Sequence, residues 1–467
     1  MKKFIYILLF LLPVIAVAQQ PWYKYSPMGY MWMNVGNAGF SEGTTLYTSL
    51  AFSSSGQPYV AYQDWATYTG NATVMMFNGT NWVNVGNAGS LANMAEYISL
   101  AFSPSNNQPY VAYSDDGNYE KVTVMMFNGT NWVYVGNAGF SVGAGYYLSL
   151  AFSPSGQPYV AYQDVANSNK ATVMTFNGTD WVNVGNAGFS AGATQYESLA
   201  FNPSNNQPYV AYQDYGNFGA ATVMRFIGTN TNWENVGNAG FSAGNTQYES
   251  LAFNPSNNQP YVAYGDWEYL LNTTVMMFNG TNWVNVGNAG FSSGATQYES
   301  LAFHPHDGEP YVAYSDLGNS LKATVMKFDG TNWVYVGNED FSAGEANYIS
   351  IAFSPTDNQP YVAYSDGGHN YKETIMKYDS VMVGINELKE SRLSMYPNPA
   401  IDKITIEIDE GQVPSQLSMM NLNSEEVLIS ILIKPKTQID ISNLPSGIYF
   451  VRVTNDKTVE VRKFVKE

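Results

Sequence analysis

The chain of 467 residues contains no cysteine. Disulfides and thiolate metal sites are therefore excluded. Charge is also scarce, at 12 % of residues, and histidine is limited to His304, His306 and His369. Basic side chains are fewest in residues 21–380, where 8 stand against 26 acidic ones and Arg225 is the sole arginine. Such a surface repels nucleic-acid phosphates and anionic lipid, which leaves cations, neutral sugars and basic partners. After the N-terminus no apolar run is long enough to span a membrane.

Aromatic residues are abundant, at 15 % with 36 Tyr, and 45 % of the chain is apolar. That composition supports a packed core and, with its Val, Gly and Asn, an all-β fold. Residues 1–18 join a basic start to an apolar run ending Ala16-Val17-Ala18. This is the pattern of a secretory signal peptide cleaved before Gln19.

The text then repeats. Trp32, Trp82, Trp132, Trp181, Trp233, Trp283 and Trp333 recur every 49 to 52 residues. One unit from Tyr248 holds four short β-type runs, "ESLAF", "PYVAY", "TVMMF" and "WVNVG". Turn text separates them, including an Asn-Gly pair that favours a tight hairpin. Apolar residues fill both parities of the middle runs, so each sheet must be covered on both faces. Four-stranded antiparallel sheets stacked at this period describe a seven-bladed β-propeller over residues 19–380, with a linear β solenoid as the other architecture. The ends favour the propeller. The chain starts with a fourth-type run at 32–36, and its last set stops after a third-type run at Tyr378. The N-terminal strand is therefore expected to close the last blade, which removes the open sheet edges.

Strand order assigns the loops to two faces. One face carries nearly constant turns. The other carries loops that differ from blade to blade, each opened by an aspartate: Asp64, Asp115, Asp164, Asp214, Asp266, Asp316 and Asp366. Repetition at one place in every blade marks these as turn caps rather than as a carboxylate ring. Variation marks the loops as the binding face. Their aromatics, Trp65, Tyr68, Tyr119, Tyr215, Trp267, Tyr269 and Tyr371, suit sugar rings or pack against one another. The repeated Trp before the fourth run reads as core.

Repeat symmetry breaks after the Tyr that opens each inner strand, where three successive blades carry Glu197, Glu249 and Glu299. Near the axis these would converge on a cation or a basic group, or line a solvated mouth. Calcium is the one ion these carboxylates suggest; no cofactor is otherwise called for. A carboxylate pair is also the equipment of glycoside cleavage, although nothing fixes a spacing here. His304 and His306 read as polar residues of one divergent turn. No nucleophile elbow, phosphate loop or zinc helix motif occurs. The hairpin "FDGTNW" at 328–333 partly resembles the Asp-box of sialidase-type propellers through Gly330 and Trp333. The motif's Asp falls on Phe328, its Ser is missing, and the three arginines of sialidase chemistry are absent, so that activity is rejected.

Composition changes after a linker at 381–391. Ten of the twenty Lys and Arg lie in 381–467. Alternating runs such as "KITIEI" and "IYFVRV" predict a small Ig-like β-sandwich over 392–467. This tail resembles the type A C-terminal sorting domain of the type IX secretion system of Bacteroidetes. The resemblance rests on Tyr396-Pro397-Asn398-Pro399, on Gly447-Ile448-Tyr449 before an alternating strand, and on a basic end with Lys463 and Lys466. It implies recognition by the outer-membrane translocon, removal by a surface sortase, and release or attachment at the cell surface. The passenger is then read as a binding module for a glycan or surface protein, as an extracellular polysaccharide hydrolase or lyase, or as a structural adhesin. Scarce His and Arg favour binding over catalysis.

Overall fold

The computed structural model describes residues 28–66, 69–86, 91, 94–228, 232–382, 393–408, 413–421, 426–454 and 459–467. The leader expected at 1–18, most of the linker and Tyr68 lie outside them. The chain divides into two compact units, one spanning Tyr30–Val381 and the other including Met382–Glu467.

The larger unit is a seven-bladed propeller of seven four-stranded antiparallel sheets. Blades 1 to 7 begin at the axis with the inner strands Thr45–Phe52, Ala95–Phe102, Gly145–Phe152, Thr194–Phe201, Thr246–Phe253, Thr296–Phe303 and Ala346–Phe353. Each chain segment then winds outward through a second strand, a third strand and a three-residue outer strand. Blade 7 takes its outer strand from the N-terminus: Met28–Asn34 lies beside Lys372–Met382. The junction continues past the strand, since Val35 N donates to Ile375 O at 2.8 Å and Phe40 N to Glu373 O at 2.9 Å. The expected closure is thus present.

Blades bind one another by the same contacts seven times over. At the rim each repeated Trp donates its Nε1 hydrogen to a valine carbonyl of the preceding blade, at 2.6–2.8 Å, ending with Trp32 to Val336. Six of these indoles also stack on a Phe from the segment linking the blades, with centroids 4.2–4.6 Å apart. Near the axis each inner-strand Ser accepts the backbone N–H of the Leu or Ile in the next blade at 2.9–3.1 Å, and Ser350 to Leu50 completes the circle. The middle strands are buried on both faces; Val60, Ala61 and Tyr62 and their equivalents have almost no exposed surface. The glycine ending "VNVG" is demanded by both backbone and space. Gly287 has φ +71°, and a Cβ there would meet the Phe328 ring at 2.9 Å.

The C-terminal unit holds two sheets. One orders Ser394–Tyr396, Lys403–Glu407 and Lys436–Asp440; the other orders Glu426–Leu432, Ser415–Met420, Gly447–Thr454 and Val459–Lys466. Alternate residues, among them Ile404, Ile406, Leu417, Met419, Val451 and Phe464, form the core of this Ig-like sandwich. Tyr449 is buried there, stacked on Phe464 at 5.4 Å, with its hydroxyl donated to Pro445 O at 2.8 Å. Asn398 ties the Tyr-Pro-Asn-Pro turn to the last strand: its Oδ1 accepts from Val465 N at 2.9 Å and its Nδ2 donates to Lys463 O at 3.3 Å. Lys463 itself is exposed.

Trp32 anchors the N-terminal strand to blade 6 by one buried hydrogen bond and one ring stack. Trp32→Ala is expected to cost about 3–5 kcal/mol, read as a lowered thermal midpoint. Trp82→Ala, at an internal junction, should cost a similar amount.

Candidate functional site

The variable loops are built on their aspartates. Each Asp ends a second strand and is at most 8 % exposed. In blade 4, Asp214 Oδ1 accepts from Gly216 N at 2.9 Å, while Oδ2 accepts from Asn217 Nδ2 at 2.7 Å and Thr222 Oγ1 at 3.0 Å. Thr222 Oγ1 in turn accepts from Gly240 N in the link to the next blade at 2.9 Å. Blades 3 and 7 repeat the set, with His369 Nδ1 taking the Asn position beside Asp366 at 2.8 Å. The aspartates thus fold the loops, and in blades 2, 3, 4 and 7 they also tie them to a threonine of the third strand. Among the described residues no group of three or more His, Asp or Glu is arranged to hold a metal ion. His304 contacts Asp307 at 2.8 Å in a turn of the opposite face.

In blades 2 to 7 the loop forms a single 3₁₀ turn that ends in the left-handed conformation. Gly or Asn suits that cap. Blades 3, 6 and 7 place Ser168, Ser320 and Asn370 there. Blades 2, 4 and 5 place Tyr119, Phe218 and Leu270 there, at φ 58–60° and 86 %, 95 % and 82 % exposed. A bulky side chain costs roughly 1–2 kcal/mol in this conformation, and these three gain no burial in return. Strain kept at an exposed position points to use.

The adjacent blades 4 and 5 carry the largest group. Tyr215 and Trp267 stand at the first loop position and are half exposed, with Tyr269 nearby in sequence and also exposed. Tyr215 donates its hydroxyl to Gln195 Oε1 at 3.1 Å. Asn245 joins the two loops: its carbonyl accepts from Trp267 N at 3.0 Å, and its Nδ2 lies 2.6 Å from where a Cβ on Gly219 would sit. Its Oδ1 accepts from Gln213 Nε2 at 2.7 Å. Elsewhere the expected aromatics are separate. Trp65 donates to Gln63 Oε1 at 3.0 Å in blade 1, and Tyr371 donates to Glu345 Oε2 at 2.6 Å in blade 7. Phe218 and Leu270 escaped the sequence reading. Their signal is a bulky residue four positions after the Asp, where blades 3, 6 and 7 carry Ser or Asn.

The three glutamates are not at the mouth. A β-bulge interrupts every inner strand at the Tyr and the residue after it. The Tyr takes φ 52–59° and joins its six equivalents in a closed ring, Tyr47, Tyr97, Tyr147, Tyr196, Tyr248, Tyr298 and Tyr348, with neighbouring centroids 4.7–5.2 Å apart. Burial raises the hydroxyl pKa of all seven. In blades 2 to 7 the next residue is buried. Glu197, Glu249 and Glu299 are 5–6 % exposed, and each receives a hydrogen bond from the Thr three positions earlier. The expected convergence on a cation or a solvated mouth is corrected accordingly: the bulge gives the axis to Tyr and withdraws the carboxyl into the protein.

Asp214→Ala removes the acceptor of three donors. It should destabilise the protein by about 2–4 kcal/mol, and added calcium should leave the thermal midpoints of both proteins unchanged.

Residues 394–467 match the family model described as the secretion system C-terminal sorting domain. Among curated proteins none matches the chain. Among solved structures, a lectin from Burkholderia pseudomallei superposes with TM-score 0.51 at 16 % identity over 71 % of this chain and 94 % of its own. An ulvan lyase superposes with TM-score 0.50 at 12 % identity over 73 % and 94 %. PorZ, described as an essential surface component of the type-IX secretion system of Porphyromonas gingivalis, aligns at 12 % identity and TM-score 0.46 over 93 % of this chain. The chain spans 60 % of PorZ. At such identities the first two likenesses concern the fold alone. The sorting match carries more. This is a type IX secretion substrate, a propeller passenger that carries its C-terminal sorting domain at 394–467 and is destined for secretion or the cell surface.

Proposed function

We propose that the propeller is a non-catalytic carbohydrate-binding module displayed outside the cell, and that it binds through the loops of blades 4 and 5. The supporting observation is the pair of strained, exposed side chains Phe218 and Leu270 beside Tyr215 and Trp267. Flat apolar faces receive the apolar face of a pyranose, and the amides of Gln195 and Asn245 stand near them for hydroxyls. The scarcity of Arg and Lys around these loops favours neutral over acidic sugars. A lectin and a polysaccharide lyase share this fold, so both chemistries are compatible with it. Cleavage needs an acid and a base that reach the substrate. The burial of Glu197, Glu249 and Glu299 argues against that reading. In this view the leader at 1–18 carries the chain across the inner membrane, and the tail engages the outer-membrane translocon and the sortase.

Phe218→Asn and Leu270→Asn separate binding from folding, because Asn tolerates the left-handed conformation. Each should hold or raise the thermal midpoint while lowering the signal on a glycan array at least tenfold. Full strength in both variants, or no selective binding by the parent across a wide array, would refute the site. Deleting 392–467 should hold the protein in the periplasm, checked by cell fractionation; normal surface delivery would contradict the sorting role.

A further inference from the structure

The buried glutamates belong to a pattern that spans the ring. Between each blade and the next lies a slot formed by the first and fourth residues of the inner strand and one third-strand residue of the preceding blade. Thr194 pairs with Glu197, Thr246 with Glu249, and Thr296 with Glu299. Ala95 pairs with Ile98, Gly145 with Leu148, and Ala346 with Ile349, all apolar. A Cβ on Gly145 would meet Val122 of the preceding blade at 2.4 Å, so the apolar slots are tightly filled.

The seventh slot, between blades 7 and 1, reverses the arrangement. Its inner strand supplies Thr45 and Thr48, and the carboxyl arrives from the other side, on Glu373 of the third strand. Thr48 Oγ1 donates to Glu373 Oε2 at 2.9 Å. Four slots therefore hold one carboxyl with threonine, and three hold an aliphatic side chain with Ala or Gly. Along the inner strand Glu is never paired with Ala, and Ile is never paired with Thr.

In every polar slot one carboxyl oxygen is buried with no hydrogen-bond partner: Glu197 Oε2, Glu249 Oε2, Glu299 Oε2 and Glu373 Oε1. The titratable groups that interact with them most strongly are tyrosines and acids. Tyr147 and Tyr212 lie within electrostatic reach of Glu197; Tyr196, Tyr264, Glu197 and Glu299 of Glu249; Tyr248 and Tyr314 of Glu299; and Tyr62, Tyr364, Asp64 and Asp366 of Glu373. No cation is among them. An ionised carboxylate in such a place bears a desolvation penalty that its threonine hydrogen bond offsets only in part. The three apolar slots show that the fold closes without these acids.

We propose that the four polar slots are proton-binding sites, each holding a neutral carboxylic acid at neutral pH, so that the tightness of the ring depends on pH. Three of them lie in succession from blade 3 to blade 6, beneath the loops that carry Phe218 and Leu270. The fourth lies in blade 7, whose outer strand closes the ring, where Glu373 O also accepts from Phe40 N. Burial moves all four from the free value of 4.5 to about 8, against the opposing effect of the threonine hydroxyls. The folded pKa is raised, so between these values the folded chain holds protons that the unfolded chain has released. The stability contributed by these four groups is then greatest below pH 4.5, falls as pH rises, and levels off above pH 8.

The test converts polar slots into the apolar kind already present in the chain. The full mature protein is compared with a six-substitution variant, Thr194→Ala with Glu197→Ile, Thr246→Ala with Glu249→Ile, and Thr296→Ala with Glu299→Ile. From pH 5 to pH 8 the parent's thermal midpoint should fall, and the variant should lose about three quarters of that slope, as three of four sites are removed. An unchanged slope would overturn the proposal. Infrared difference spectra of the parent provide a readout independent of the variant's folding. A protonated-carboxyl band should be present at pH 7 and bleach near pH 8; its absence at pH 7 would also overturn it.

Discussion

A sheet that is apolar on both faces cannot exist alone in water, and the rest of this structure follows from that constraint. Val60, Ala61 and Tyr62, and their copies in six other blades, are buried only because a neighbouring blade lies on each side. An array of such sheets has two unsatisfied ends unless it curls round. The indole bonds at the rim and the serine bonds near the axis recur with nearly constant lengths at all seven junctions, so no junction is a weak substitute. The N-terminal strand supplies the missing outer strand of blade 7, and the ring needs neither caps nor disulfides.

Repetition also separates what the fold needs from what it merely permits. The Asp that opens each variable loop, the Trp of each outer strand and the Tyr of each inner strand occur in every copy and serve construction. Departures from the repeat are where function is to be sought. Two kinds stand out. On the loop face, three copies place Tyr119, Phe218 and Leu270 in a backbone conformation that disfavours them, out in solvent. Inside, four junctions exchange an aliphatic contact for a carboxyl with one unpaired oxygen. Both are concentrated around blades 4 and 5.

The two units divide the labour of the chain. In the tail, Asn398 and Tyr449 hold a small sandwich together through one backbone clamp on the last strand and one stacked ring. The exposed Lys463 lies beside that clamp. The residues that identify the sorting domain thus include internal fasteners of its fold.

The sequence by itself determined the period, the four strands per blade, the closure by the N-terminal run, the capping role of the aspartates and the sorting tail. Each is local, or depends only on counting copies. It did not determine where Glu197, Glu249 and Glu299 go. Side chains alternate along a strand, so a bulge that sets two residues opposite one exchanges inside for outside. That bulge sets the tyrosines around the axis and hides the acids, and it has no signature in a single copy of "QYESLAF". Nor could counting aromatics find Phe218 and Leu270, whose significance lies in a backbone angle and in the lack of any neighbour to cover them. Only the tertiary structure decides these points, because burial and backbone conformation depend on what the rest of the chain brings near.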